Sequence, residues 1–206
     1  MEIKIATLDQ SPFSYEDVVN LMHSSFEERL CQGLCFTCSS MTVYQFVEKT
    51  SKSIILVAWQ EQTLFGMVTL TLGTDSRGDI YGYHENLAVS PSAKRLGIGT
   101  KLQTKCVETI LDAGGKYEMS DTAVRAGSSV RWHLKNGFKK IALRSYPSTN
   151  YYSYLFRKQL TYSTIWNSNL YCCFRLHISC MIVKLLFREN GSLTLFGRLA
   201  KKAFRR

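Results

Sequence analysis

The sequence predicts a mixed α/β (α+β) fold, with a mixed sheet of about seven strands covered by about four helices. Three observations predict it. Short β-rich apolar runs alternate with longer segments whose apolar residues recur every three or four positions. Between Asn86 and Leu102 an apolar strand passes through a Ser-Pro break and a Gly-x-Gly turn into an amphipathic helix. The 206 residues, 45% hydrophobic and 20% charged, are enough to bury a real core and exclude a disordered chain.

Taken in order, Ile3 and Ile5 alternate with polar neighbours as a first strand does. Val18, Val19, Met22 and Phe26 have helical spacing within Tyr15–Leu30, where Ser14 is the expected N-cap and Asp17 the N3 partner. A second helix is expected over Thr42–Lys49. Ile54–Trp59 and Leu64–Leu72, joined by Gln60–Thr63, read as a hairpin, and Ile80–Val89 as the strand feeding the glycine turn. Gly99–Ala113 is the next helix, with Leu102, Cys106, Val107 and Ile110 inward and Gly114-Gly115 closing it. Tyr117–Val124, Phe138–Leu143 and Tyr151–Phe156 complete the strands.

The glycine turn carries the chemistry. Its glycines let backbone N–H groups approach an anion, the following helix adds the partial positive charge of its N-terminus, and Lys94 and Arg95 add full charges. Spacing excludes two familiar phosphate loops. Gly97 and Gly99 are followed by Thr100-Lys101 rather than the Gly-Lys-Ser/Thr of a Walker loop, and Leu102 stands where a dinucleotide fingerprint needs a third glycine. A phosphorylated cofactor remains the expected ligand.

Lys94-Arg95-Leu96-Gly97-Ile98-Gly99 resembles the acyl-CoA loop of the GNAT superfamily of N-acetyltransferases, Gln/Arg-x-x-Gly-x-Gly/Ala, with Lys94 at the first place. A second window, Ser129 to Phe138, resembles the superfamily's later motif, a short helix ending in Gly-Phe. There Ser128 or Ser129 can cap the helix, Val130 and Leu134 share a face, and Gly137 supplies a left-handed C-terminal turn. The resemblance covers residues 1–160 as an N-acetyltransferase domain, leaving 161–206 as a separate extension.

The resemblance implies a GNAT-like fold, in which the mixed sheet is mostly antiparallel, and acetyl-CoA as co-substrate. An acetyl group would pass to a primary amine by direct attack in a ternary complex. The backbone at Leu87, Ala88 and Val89 would hold the pantetheine arm. The loop Lys94, Arg95, Leu96, Gly97, Ile98, Gly99 and Thr100 would hold the phosphates, and the strands flanking the glycine-loop helix would splay to admit the thioester. Glu85 is the candidate proton acceptor, direct or through water. Plain strand alternation sets Glu85, Leu87 and Val89 on one side and His84, Asn86 and Ala88 on the other. A bulge would break that register, so His84, with an intrinsic pKa near ~6.5, stays a rival base. The bland reading of Glu85 is a surface carboxylate paired with a lysine.

His133 stands four residues before Gly137, where the family often has the tyrosine that protonates the leaving thiolate, and an imidazolium could serve there. Ala126 replaces a frequent asparagine. These departures keep open a second reading, a non-catalytic acyl-CoA-binding or membrane-peripheral adaptor with the same fold. The acceptor amine, in an amino sugar or other glycan, a small molecule or a peptide, is not chosen by the sequence.

Cys31, Cys35 and Cys38 have the spacing of a three-thiolate cluster motif, yet the rest of the chain lacks the accompanying barrel pattern, and a zinc set lacks a second pair. No metal is expected, and these residues read as an apolar loop along the acceptor cleft. Seven cysteines without an export signal point to reduced thiols in the cytoplasm.

The tail from residue 160 holds eight Lys/Arg and one acid, Glu189, so it carries +7 of the net +10 and leaves +3 for residues 1–159. Residues 170–187 are strongly apolar but interrupted by Arg175, His177 and Lys184, which argues against a good membrane span. His177, Lys184 and Arg188 share a helical face, Arg175 falls nearly opposite, and Gly191 breaks the pattern. Two readings stand: in-plane binding to an anionic membrane surface, drawn by Lys201, Lys202, Arg205 and Arg206, or an added helical layer or homodimer contact. Membrane binding would put the protein at the inner face of the membrane. No nucleic-acid motif is present and the basic cluster is terminal and short, so nucleic acid is not an expected partner.

Overall fold

The computed structural model describes residues 2–147 and 149–203. Arg205 and Arg206, two of the four cations assigned to membrane attraction, lie outside the described residues. The chain runs β1 (Lys4–Thr7), α1 (Tyr15–Cys31), α2 (Val43–Thr50), β2 (Ile54–Gln60), β3 (Thr63–Thr74), β4 (Ile80–Val89), α3 (Ile98–Asp112) and β5 (Tyr117–Ala123). It continues through α4 (Gly127–Lys135), β6 (Lys139–Ser145), β7 (Tyr152–Gln159), α5 (Thr164–Asn167), α6 (Asn169–Leu186) and α7 (Leu195–Ala203). The seven strands form one sheet in the order β1-β2-β3-β4-β5-β7-β6, antiparallel except for the β4–β5 pair. The predicted fold class is therefore the observed one.

Local signals account for the elements. Ser14 and Asp17 form the expected capping box on α1, and Thr42 with Gln45 forms another on α2. Helix α4 corrects the sequence reading: its N-cap is Ala126, and neither Ser128 nor Ser129 caps it. The Ala123–Gly127 turn already positions its first residues through backbone bonds from Ala126 N to Ala123 O and from Val130 N to Ala126 O. Gly137 does adopt the left-handed conformation that ends the helix, at φ +85°.

The sheet is covered on both faces. Ile55, Val57, Trp59, Met67 and Ala88 pack under α1 and α2, against Val18, Val19, Met22 and Phe46. Leu56, Ala58, Val68 and Leu70 pack under α3, against Ile98, Leu102, Cys106 and Ile110. The apolar spacing read from α3 thus faces inward at Leu102, Cys106 and Ile110, while Val107, also expected inward, is half-buried and outside this cluster.

A bulge resets β4. Met67 pairs with Ala88 and Thr69 with Glu85, so Asn86 and Leu87 together oppose Val68, and Asn86 takes a left-handed φ of +54°. Residues directly opposite across an antiparallel pair share a face. Glu85 consequently lies with Ala88 on the α1 face, while Leu87 and Val89 pack with the α3-side cluster. The expected grouping of Glu85 with Leu87 and Val89 is wrong because plain alternation fails at a bulge.

The tail closes the far edge of the sheet. Helix α6 lies over edge strand β6, where the Ser179 hydroxyl accepts from the Leu143 amide at 2.9 Å and donates to its carbonyl at 3.1 Å. Cys172 is buried with Ile141 and Leu155. The helix ends at Leu186, before Arg188 and Gly191, so Arg188 sits in the following turn rather than on the predicted helical face.

Helix α3 approaches β4 so closely at Gly82 that a Cβ there would meet Ile110 side-chain carbons at 2.3 Å and Leu70 Cδ1 at 2.9 Å. Gly82→Ala is expected to lower unfolding free energy by about 1–3 kcal/mol through overpacking. Denaturant titration beside an exposed control, Gly78→Ala, would show it, since Gly78 has no neighbour within 4 Å and loses only turn geometry.

Candidate active site

Strands β4 and β5 pair only over Tyr81–Tyr83 and Tyr117–Met119, then part. Beyond that point β4 runs on to Val89 and β5 to Ala123 with a gap between them. This is the splay the sequence reading required. The gap opens into a cavity of about 1170 Å³. Residues 84–89 form one wall, Ser120, Asp121 and Thr122 another, and the α3 N-terminus one end.

Where the backbone ladder stops, side chains take over. His84, the first β4 residue past the pairing, places Nδ1 2.7 Å from Glu118 Oε1 on β5, and Gln103 on α3 donates to Glu118 Oε2 at 2.7 Å. All three are buried. His84 Nε2 has no hydrogen-bond partner among the described residues and lies among the rings of Trp132, His133 and Phe138. His84 reaches the cavity wall, yet its ring is 2% exposed and is held through Nδ1 as a strut between two strands, which does not suit the rival-base reading.

At the α3 end Gly97 is the N-cap, with φ +77°, a left-handed turn that a side chain would strain. Lys101 N bonds Gly97 O, whereas the amides of Gly97, Ile98, Gly99 and Thr100 find no backbone partner among the described residues. These donors sit on the cavity wall with Lys94, Arg95 and Lys101. The arrangement suits a multiply charged anion such as a pyrophosphate, with the helix dipole adding to the full charges.

Two details differ from the sequence reading. Leu96 is 60% exposed, its amide is spent on Ala93 O, and it is not on the cavity wall. It therefore belongs to the turn rather than to the ligand-facing set. Lys94 is not a free cation, because its ammonium lies 2.5 Å from Glu28 Oε2 on α1 and holds that carboxyl below its usual range. Arg95, at a left-handed φ of +69°, has no ion-pair partner among the described residues. The remaining predicted contacts, Leu87, Ala88, Val89, Gly97, Ile98, Gly99 and Thr100, all line the cavity.

Glu85 lines the cavity from the α1 face, partly exposed, with Lys49 Nζ 3.9 Å away. The lysine partner of the bland reading is thus present, but at the limit of an ion pair and in contact with solvent, where such pairs contribute little. Beyond Glu85 the cavity is walled by Phe26, Phe36, Asp121, Tyr146 and Tyr151. Asp121 accepts a 2.7 Å hydrogen bond from the Tyr83 hydroxyl. Sequence reasoning missed these residues because they come from α1, the following loop, β5 and the β6–β7 connection. Only the predicted position of the cysteine loop along the cleft hinted at them. Of that loop Phe36, Thr37 and Cys38 line the cavity, and burial pushes the Cys38 thiol up to about 12. Among the described residues no group of three or more His, Cys, Asp or Glu side chains could hold a metal ion.

His133 also reaches the cavity, but not as an imidazolium. Burial, and then the charge of nearby His84, push its pKa down to about 4. Its Nδ1–H donates to Ser129 O at 2.8 Å and its Nε2 accepts from the Ser120 hydroxyl at 3.1 Å. The ring stacks on Phe156, with centroids 4.5 Å apart. A neutral ring with its one N–H already committed has no proton to give a thiolate, which corrects the expected charge state. Ser128, also on the cavity wall, accepts from the Arg29 guanidinium.

The depressed pKa has a stability consequence. The unfolded chain takes up a proton on this residue near pH 6.5, whereas the folded chain resists it down to about 4. This stabilisation is complete above pH 6.5 and is lost as pH falls towards 4, with roughly 3 kcal/mol at stake. His133→Phe should therefore show a shallower loss of melting temperature than the unaltered protein between pH 6.5 and 4. Parallel curves would show that the ring is not held neutral.

Comparison with known proteins adds to this geometry. Residues 16–138 match the family model described as acetyltransferase (GNAT) family. Among solved structures, the ribosomal-protein-S18-alanine N-acetyltransferase from Escherichia coli superposes with a TM-score of 0.62 at 12% identity. That match covers 79% of this chain and 96% of that one. The PaiA N-acetyltransferase from Thermoplasma acidophilum, solved in complex with coenzyme A, gives 0.60 at 15% identity, over 77% and 99% of the two chains. A chain of the NatC complex, bound to Gag peptide and CoA, gives 0.59 at 14% identity, over 78% and 100%. At these identities the structural likeness concerns the fold. No curated protein matches the chain.

Proposed function

We propose that this chain, which belongs to the acetyltransferase (GNAT) family, moves an acetyl group from acetyl-CoA to a primary amine by direct attack in a ternary complex. The parting of β4 and β5 carries the reading, because it joins an anion site at the α3 N-terminus to a carboxylate-bearing cleft on the other face of the sheet. Acetyl-CoA fits that path. Its pyrophosphate would meet the free amides of Gly97–Thr100 with Arg95 and Lys101, and its pantetheine arm would run along Leu87, Ala88 and Val89. The thioester would then reach the gap near Glu85.

Glu85 is the proposed proton acceptor for the incoming ammonium, direct or through one water. The bulge at Asn86 matters for this role, since it turns Glu85 to the α1 side of the sheet, opposite Leu87. The amine would approach between Glu85 and Asp121, both on the cavity wall, and the two carboxylates suit a cationic acceptor. His133, neutral, is proposed to shape the thioester end and orient the Ser120 hydroxyl. The acceptor is a small amine, a glycan amino group or a peptide amine. The charge state of His133 is also the observation that favours the second reading, a non-catalytic acyl-CoA-binding protein, because the thiolate then lacks the imidazolium donor.

Calorimetric titration with acetyl-CoA tests the cofactor half. Saturable binding is expected, lost in Gly99→Glu, whose Cβ fits at 3.7 Å from Trp132 Nε1 but whose carboxylate would oppose the phosphates. Absence of binding to the folded unaltered protein would overturn the proposal. Release of free CoA in the presence of a panel of amines then separates the enzyme from the adaptor. With a turned-over amine, Glu85→Gln should lower kcat roughly 100-fold while leaving acetyl-CoA affinity unchanged. An unchanged kcat would remove Glu85 from the role.

A further inference from the structure

Helix α6 has one side fixed and one side bare. The fixed side carries Ser179, bonded to both backbone groups of Leu143, and Cys172, buried in the core. The bare side carries Leu170, Phe174, Ile178, Met181, Ile182 and Leu185, spaced as a single stripe down the helix. Leu170, Met181 and Phe174 are 81%, 69% and 62% exposed. Helix α7 adds Leu195, Phe196 and Leu199, all more than half exposed. Isolated apolar residues on a surface are ordinary, but a continuous stripe of this length marks a contact.

The charges say what the contact is. Arg175 and Lys184 flank the α6 stripe on opposite margins, Arg188 follows it, and Arg198, Lys201 and Lys202 are exposed on and beside α7. Against these six cations the described tail has one acid, Glu189. The apparent misfit of Arg175 in the sequence pattern is resolved by the fold. The face opposite the stripe is covered by β6, so Arg175 only has to leave the apolar centre, and its guanidinium lies over Trp166, 5.0 Å from the ring centroid.

From this surface we propose that α6 and α7 dock the protein on an anionic lipid bilayer, with α6 lying in the membrane plane rather than crossing it. The apolar stripe would enter the headgroup–acyl boundary while the flanking cations meet anionic headgroups. Helix α6, with mean hydropathy 1.3 over 18 residues, is long and apolar enough to cross a membrane. Crossing, however, would strip Cys172 from the core and break both Ser179 bonds to β6. A second copy is a poorer occupant, since facing two such surfaces brings like charges together.

Co-sedimentation of the full chain with vesicles tests this. Vesicles of phosphatidylcholine with about one third phosphatidylserine should bind it saturably, at least tenfold more tightly than phosphatidylcholine alone, and high salt should weaken the binding. Phe174→Asp with Met181→Asp, at exposed positions, should lower vesicle affinity at least tenfold while the melting temperature and acetyl-CoA titration stay unchanged. Lys201→Glu with Lys202→Glu should lower it on anionic vesicles alone. Absence of binding, equal binding to both vesicle types, or binding indifferent to the Phe174/Met181 pair would overturn the proposal. So would self-association abolished by that pair without vesicle binding, which would instead assign the surface to a second copy. Acetyl-CoA binding is read separately, so failure here leaves the transferase reading untouched.

Discussion

The buried tie between His84, Glu118 and Gln103 is the interaction on which the rest of the molecule turns. A sheet that opens along one seam must be held shut immediately beside the opening, or it would part further. Backbone pairing holds β4 to β5 only as far as Tyr83 and Met119. The next residue, His84, bridges to Glu118 with a side-chain bond, and Gln103 carries the tie into α3. Removing one partner from such a buried pair typically costs about 3–5 kcal/mol, because the other is left unpaired in a dry interior. Here the cost would fall on the point that sets the width of the cavity.

The two ends of that cavity are polarised by different means. At the α3 end the positive field comes from helix-start amides with no backbone partner among the described residues, sharpened by the left-handed Gly97, and from side chains whose charge is partly spent. Lys94 answers to Glu28, leaving Arg95 and Lys101 without an ion-pair partner among the described residues. At the other end Glu85 and Asp121 supply negative charge. The sheet lies between them, and the bulge at Asn86 sends Glu85 to one face while Leu87 stays on the other. A single extra residue in one strand therefore separates the wall of the anion site from the carboxylate proposed as proton acceptor.

His133 shows how burial can rewrite a residue's chemistry. Its position four residues before Gly137 invites a proton-donor role, and its placement on the cavity wall fits that position. The surroundings decide otherwise: aromatic rings on both sides and the neighbouring His84 penalise a second proton, and both ring nitrogens already have partners. The C-terminal segment follows the same logic in reverse. A helix apolar nearly all round is ordinarily a core or membrane element. Covered by β6 on one side only, α6 becomes a surface with an apolar stripe bordered by cations.

Much of this was legible in the sequence, for reasons that are local. Helix starts are written in caps such as Ser14 with Asp17, helix ends in glycines such as Gly114 and Gly137, and strands in the period of their apolar residues. The glycine turn and its anion-binding character are likewise a property of a few adjacent residues. What the tertiary structure alone decided involves residues distant in the chain. The bulge at Asn86 moved Glu85 to its face, α1 brought Glu28 to Lys94, and β5 with α3 fixed His84 as a strut. Burial among rings from β4, α4, the turn at Phe138 and β7 set the charge on His133. A strand 36 residues earlier than Ser179 determined which side of α6 is bare. Each of these depends on desolvation or on pairing across the fold, and neither is encoded by spacing along the chain.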